Sequence, residues 1–378
     1  MKAPKALVVF DGGNAPGYTA VATSLCEEGD KRCFEVWAAF EGFRSLTGDH
    51  LDETRLVRLL MSRRQAWKLS TVEKYPMRAL YGAMDQPGSE FRSERYPEFK
   101  LPENQKKAVE FIKENGFTHI IGVGGNGTMA GIRSLNKLLP DIQAGFINVS
   151  VDSDIYGDIA VGYLTGVEEG AKIARGLFND AYTHKRIYIL EMMGRDSGKH
   201  ALMSGASARA HLIALPGFDL GGKIFSDIVK KLKEMDHALI IVAEGYQREV
   251  RSSFLPERVD AAMYFKRQLM EYGLEETEYK RVVSEPFSRY LRGARPLHIE
   301  LSIAHLKAFI LFEAFAQGKT RVMPYYLGEH DSGVRSFSEL RTNNTVEPQF
   351  LDLIDRMVVP SLREYVYENF RSKPLINV

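Results

Sequence analysis

The chain has 378 residues, long enough for two α/β domains and a sizeable core. Its 50 basic and 49 acidic residues leave a net charge of +1, which gives no support to nucleic-acid or polyanion binding as the main task. Two cysteines, Cys26 and Cys33, cannot build a disulfide framework and match no zinc spacing, so they read as free thiols of a reducing cytosol. The first apolar run is too short for a signal peptide, and no stretch reaches the roughly 18 apolar residues of a membrane span. A soluble cytoplasmic protein is expected.

Strand and helix signals alternate along most of the chain, the pattern of mainly parallel sheets covered by helices. Residues 5–10 and 33–40 read as strands around a helix near 17–28. Residues 44–104 read as charged and irregular. A helix over 108–116 ends at Gly116, which suits a C-cap, and the strand 118–123 follows. Next come a helix over 128–138, a strand over 143–149 and a helix over 163–178. Ile187 to Met192 reads as a strand, 198–208 as a helix, 211–215 as a strand and 225–233 as a helix. The continuous apolar run Ala238 to Ala243 predicts a strand buried on both faces. A helix near 257–271 precedes an arginine-rich loop, and 299–317 reads as a long amphipathic helix. A further helix is expected over 347–369. With no repeat and no low-complexity linker, the domains are expected to interleave.

Three loops that follow strands carry the chemistry. His119 to Val123 breaks into Gly124-Gly125-Asn126-Gly127, and helix pattern resumes at Thr128. Glycines let backbone N–H groups approach an anion, and a helix N-terminus adds partial positive charge. Upstream, Leu7 to Phe10 runs into Asp11-Gly12-Gly13-Asn14-Ala15-Pro16-Gly17 in the same way. The third loop, Ser150-Val151-Asp152-Ser153-Asp154, holds two carboxylates two residues apart, on one face if the loop is extended. One could orient a metal while the other accepts a hydroxyl proton; an Asx-type turn is the bland alternative. Together the loops suggest phosphoryl transfer with a divalent metal.

Further along, Met193-Gly194-Arg195 follows a strand, where a guanidinium can neutralise a moving phosphoryl group or make a plain surface ion pair. Glu244 ends the strand before Gly245-Tyr246 and suits sugar hydroxyls, or a helix cap. Arg289, Arg292 and Arg295 recur at three-residue spacing, either a solvated basic face or a sugar-phosphate clamp. Arg92 and Arg95 raise the same choice.

Taken in order, these pieces resemble the 6-phosphofructokinase family over roughly residues 5–330. GGNAPG is similar to its first glycine loop, GSEFRSERYPEF to its segment with a catalytic arginine, and GGNGT to its nucleotide-phosphate loop. SVDSD stands where the family has TIDND, EMMGRDSG matches its MGR motif, VAEGY its strand-end glutamate and SRYLRGARP its HxQRGG segment. The resemblance implies two interleaved three-layer αβα domains with mainly parallel sheets and an active site in the cleft between them. It implies a phosphate-donor domain over 1–161, a sugar-phosphate domain over 162–290, and a returning segment, 291–378, that completes both and adds C-terminal helices.

The same resemblance gives roles. Asp152 is the base for the sugar C1 hydroxyl, with Ser150 beside it in place of a threonine and Arg195 as a further catalytic group. Gly13, Arg95, Gly125, Asn126, Gly127 and Thr128 line the donor. Asp154, with Asn126, holds magnesium. Ser150, Asp152, Asp154, Met193, Gly194, Arg195, Glu244, Arg289 and Arg292 bind the sugar phosphate, and Arg186, with Arg281 as a second candidate, reaches it from a neighbouring subunit of a homodimer or homotetramer. Asn126 departs from the family's magnesium aspartate, Arg289 from its histidine and Gly217 from a glutamate. Thr23 and Glu27 replace arginines of the bacterial effector site. Gly127 and Val149 stand where pyrophosphate-using relatives commonly carry Asp and Lys, which favours ATP. The expected activity is magnesium-dependent transfer from ATP to fructose 6-phosphate or a related sugar phosphate, a step of glycolysis, with no nucleic-acid or membrane partner. Pyrophosphate as donor, a catalytically weakened regulatory paralogue, and a kinase of the NAD or diacylglycerol type are the alternatives.

Overall fold

A computed structural model describes residues 3–51, 54–62, 77–80, 82–254, 259–278, 280–286, 289–342 and 346–371. The chain divides into two compact units, interleaved in sequence. Met1–Thr165 with Arg292–Thr342 forms the first, and Gly166–Leu291 with Asn343–Val378 the second.

The first unit is built on a mainly parallel sheet. Its strands are β1 (Lys5–Phe10), β2 (Glu35–Ala39), β3 (Leu56–Leu60), β4 (Met77–Ala79), β5 (His119–Gly124), β6 (Gln143–Asn148), β11 (Val322–Gly328) and β12 (Asp331–Ser336). The spatial order is β12-β11-β6-β5-β1-β2-β3-β4. The centre is parallel, β2 to β1 to β5 to β6, whereas β2/β3 and β11/β12 are antiparallel. Strands buried on both faces read as apolar runs, and Leu7 to Phe10 and Ile120 to Ile121 are fully buried. Alternation along β6 shows helices on both faces. Phe146 joins the cluster containing Ile132 and Phe111, while a Cβ at Gly145 would press on Leu311 and Phe315 of the helix His298–Ala316. The register aligns Phe10 with Val123 and Gly124 with Asn148, so three loops leave the same edge of the sheet.

The second unit holds a parallel sheet of order β10-β7-β9-β8, with β7 (Ile187–Met192), β8 (Leu212–Ala214), β9 (Ala238–Ala243) and β10 (Val282–Pro286). All of β9 is buried, as its apolar run predicts. Helices Lys199–Ser207, Gly222–Glu234 and Ala261–Glu271 pack on this sheet, and Leu351, Ile354, Val359 and Leu362 join the same core.

The structure corrects the elements at several points. The helix expected over 347–369 is broken: a 3-10 helix, Pro348–Ile354, is separated from the helix Pro360–Val366. Pro360 favours an extended residue before it, and Val359 has φ −98° and ψ 103°. Asp355 then uses Oδ2 to accept the Val359 N–H at 2.8 Å. Residues 44–104 are less irregular than their composition implies, since the described part contains β3, β4 and the 3-10 helix Pro97–Lys100. Gly116, at φ 67°, closes the helix Pro102–Glu114, with Phe117 N donating to Ile112 O.

Candidate active site

The phosphate loop after β5 is set by a close approach of two backbones. A Cβ at Gly124 would collide with Thr128 Oγ1 and with the Asp11 carbonyl. Glycine is therefore required where the loop after β1 crosses the loop after β5. Val149 N donates to Gly124 O at 2.9 Å, which holds the third loop against the second. The helix Asn126–Leu138 starts directly after Gly125, two residues earlier than its pattern suggests. Its first N–H groups have no intrahelical acceptor, the usual basis of an anion site. Gly127 is exposed with open space around it, whereas Thr128 is buried. The Thr128 hydroxyl is directed to Asp11, 2.9 Å from its carbonyl and 3.3 Å from Oδ2.

Asp11 has no counterpart in the sequence-based site, yet it lies under both loops. It is 6% exposed, and burial pushes its carboxyl up to about 7. The Thr128 hydroxyl, the Phe43 N–H and the Arg95 charge pull the other way, and Glu94 adds to the rise. Its place at the end of β1, directly before Gly12-Gly13, was the available signal.

Two guanidinium groups converge on Gly13. A Cβ there would lie 2.9 Å from Arg292 Nη1 and 3.7 Å from Arg95 Nη2. Arg292 Nη1 donates to Asn14 O at 2.7 Å, and Asn14 Nδ2 donates to Arg292 O at 3.1 Å. The three-residue arginine spacing thus does not act as one face. Arg292 binds the first loop, Arg295 pairs with Asp85 at 3.3 Å, and Arg289 is an exposed residue of the second unit.

The acidic loop differs from the expected extended segment. Ser153 has φ 46°, so alternation does not put Asp152 and Asp154 on one face. Asp152 is 6% exposed, and its N–H donates to Ser150 Oγ at 3.1 Å. Ser150 Oγ lies 3.7 Å from where a Gly125 Cβ would be, so the acidic and phosphate loops touch. Asn126 Nδ2 donates to Asp154 Oδ2 at 2.5 Å, and Asn126 Oδ1 is a buried acceptor without a hydrogen-bond partner. A carboxylate beside a neutral amide oxygen, next to a helix N-terminus, is a donor set that fits a magnesium ion carrying phosphates.

In the second unit, Met193-Gly194-Arg195 and Glu244 form one interlocked turn. Glu244 Oε1 accepts the Arg195 N–H at 3.0 Å, and Glu244 N donates to Met192 O at 2.8 Å. A Cβ at Gly245 would collide with Arg195 O. Arg251 donates to the carbonyls of Glu244, Tyr246 and Val259. Arg186 lies at the other, amino-terminal end of β7, where it meets Asp180 at 3.3 Å and the Tyr188 hydroxyl at 3.2 Å. Arg281 is beside it, since Ile187 N donates to Arg281 O.

The family model described as Phosphofructokinase matches residues 5–313. The ATP-dependent 6-phosphofructokinase of Staphylococcus epidermidis is 26% identical over 247 residues, 64% of this chain and 69% of that protein. The corresponding protein of Macrococcus caseolyticus is 28% identical over 245 residues, again 64% and 69%. Among solved structures, a pyrophosphate-dependent phosphofructokinase from Nitrosospira multiformis has a TM-score of 0.72 at 18% identity, covering 97% of this chain and 91% of that one. Pichia pastoris phosphofructokinase in the T-state gives 0.71 at 19% identity, covering 98% and 39%. This chain belongs to the phosphofructokinase family. It is a phosphofructokinase-like phosphotransferase with the family's mainly parallel α/β fold. Among the described residues no helix is long and apolar enough to cross a membrane.

Proposed function

We propose that the protein transfers the γ-phosphoryl group of ATP to the C1 hydroxyl of fructose 6-phosphate or a related sugar phosphate, as a homo-oligomer in the cytoplasm. One observation carries this reading. The loop holding Asp152 and the glycine loop before the helix Asn126–Leu138 leave adjacent parallel strands in register and touch at Gly125 and Ser150. This closeness supports reading Asp152 as a hydroxyl base beside a phosphate cradle.

The C1 oxygen forms a bond to the γ-phosphorus, the bond from that phosphorus to ADP breaks, and the hydroxyl proton passes to the Asp152 carboxylate. The helix N-terminus and the Arg95 guanidinium near Gly13 supply positive charge for the donor phosphates. Asp154 and Asn126 Oδ1 would hold magnesium, which neutralises donor charge when bound. By family resemblance Ser150, Met193, Gly194, Arg195, Glu244, Arg289 and Arg292 are assigned to the sugar phosphate, and Arg195 also to the transferred group. ATP is favoured over pyrophosphate by Gly127 and Val149 and by the names of the curated relatives.

The Asn126–Asp154 hydrogen bond supports a second reading, a weakened regulatory paralogue, because it engages the acid expected to hold the metal. A coupled assay with fructose 6-phosphate decides between them. ADP and a sugar bisphosphate should form with ATP and magnesium. Turnover with pyrophosphate alone would change the donor, and tight sugar-phosphate binding without turnover on either donor would favour the regulatory reading.

A further inference from the structure

Beneath the acidic loop lies a charged pair that none of these roles uses. Residues 149–161 form a closed loop, with Ser150 N donating to Val161 O at 3.0 Å and Val161 N to Asn148 O at 3.1 Å. Asp158 sits inside it, and its side chain and that of Lys307 are both 0% exposed. Lys307 comes from the helix His298–Ala316. Its Nζ donates to Asp158 Oδ2 at 2.8 Å and to Ile159 O at 2.7 Å. Asn148 Nδ2 donates to the same Oδ2 at 3.1 Å, and Tyr326 N to Oδ1 at 2.9 Å. Ser153 Oγ, between the two functional carboxylates, reaches Asp158 O at 3.4 Å, and Ile159 N donates to Tyr326 O at 2.9 Å.

Such a pair is not explained by stability. Removing two ions from water costs several kcal/mol each, and a well-packed apolar pair of similar volume is often as stable or more so. Burial draws both groups toward neutrality, raising Asp158 and lowering Lys307, while their mutual attraction opposes it. What the ions provide is direction. A carboxylate with three donors and an ammonium with two oxygen partners fix a register that apolar side chains would leave adjustable.

The geometry points to Asp158 and Lys307 as positioning residues for phosphoryl transfer: their buried pair fixes the 149–161 loop, and through it the placement of Asp152 and Asp154. This inference rests on the proposed roles of those two carboxylates.

The test compares Lys307→Met, Asp158→Asn and the double variant in the full-length protein. Lys307→Met alone strands a buried carboxylate and should lower Tm most. The double variant removes both charges and should recover most of that Tm. Its kcat should nevertheless stay about tenfold or more below wild type, since small misplacements of reacting groups cost that much. KM for ATP and for fructose 6-phosphate should change less than kcat does, because Gly13, Arg95, Met193, Gly194, Arg195 and Glu244 lie outside the 149–161 loop. Hydrogen exchange gives a readout without turnover. Amides of residues 149–161, Ser150, Ile159 and Val161 above all, should exchange faster in the double variant while β1 and β5 keep their protection. A double variant with wild-type kcat and wild-type exchange in 149–161 would overturn the inference. If the wild type turns over with neither donor, the functional reading fails, and the exchange comparison alone decides whether the pair fixes the loop.

Discussion

Asp152 is the residue on which the proposed chemistry depends most directly. Asp152→Asn keeps the shape and the N–H bond to Ser150 but removes the proton acceptor. Sugar-phosphate binding should persist while kcat falls by about 10²–10⁴, the usual share of general-base catalysis; near wild-type turnover would remove the assignment. Asn126 tests the metal. Asn126→Asp replaces an amide that now donates to Asp154 with a second carboxylate at the same position. Without metal the two acids repel, and with magnesium they form a stronger site. An added charge at an effective dielectric near 20 is worth on the order of 1 kcal/mol or more, so half-maximal rate should need several-fold less magnesium. The magnesium-dependent gain in Tm should also exceed that of the wild type. Asp11 gives a pH test. Its folded pKa is raised from 3.8 to about 7. Below pH 4 both states hold the proton; between pH 4 and 7 only the unfolded chain releases it, so stability falls across that window and levels off above it. The loss is on the order of 4 kcal/mol at full shift. Asp11→Asn should therefore flatten Tm between pH 4 and 7 and raise it at pH 8; an unchanged pH profile would show that Asp11 ionises normally. Sequence showed Asp152, Asp154 and the glycine loops because their spacing follows strand ends. It did not single out Asp11, because an acid before two glycines reads as turn chemistry until its burial is known.

At the scale of elements, the strands that position the loops were legible because burial on both faces leaves an unbroken apolar run, as in β1, β5 and β9. The edges were not. β3, β4, β10, β11 and β12 are short or partly exposed, and their mixed composition gives neither an apolar run nor clean alternation. The helix His298–Ala316 was read in place, but its buried acid could not be interpreted from pattern alone. Glu300 is 0% exposed and accepts the N–H groups of Gly162 at 2.7 Å, Leu164 at 3.0 Å and Thr165 at 3.2 Å, together with the Thr165 hydroxyl. A side chain distant in sequence thus caps the start of the helix Tyr163–His184. Glu300→Ala leaves those donors buried without their acceptor, and each unsatisfied group costs about 1–3 kcal/mol. A loss of several kcal/mol in chemical denaturation is expected, and a smaller loss for Glu300→Gln, whose one oxygen keeps two of the four donors while its NH2 faces the others. Equal stability of the two variants would show that water satisfies the helix start.

At the scale of the whole molecule, the chain's interleaving was legible from the absence of a linker, and the family model spans both units. Arg186 and Arg281 lie at the amino-terminal end of β7, whereas Met193, Gly194 and Arg195 follow its carboxyl end. The six residues of β7 span about 20 Å at roughly 3.3 Å per residue. An arginine side chain cannot cover that distance, so Arg186 cannot share one phosphate with Arg195 of the same chain. If Arg186 serves a sugar phosphate, it serves one bound by a second copy. Arg186→Ala should then raise KM for the sugar phosphate and turn over slowly well below that KM, where Asp152→Asn should keep about a hundredth of wild-type turnover or less. Mixed in a dimer whose sites each take Asp152 from one copy and Arg186 from the other, half the pairs are mixed and half of their sites are intact. About a quarter of wild-type activity should return after subunit exchange. A mixture that only sums its parents' activities, or an active species of monomer mass by light scattering, would assign Arg186 to its own Asp180 and Tyr188 and leave each chain's site complete without a partner.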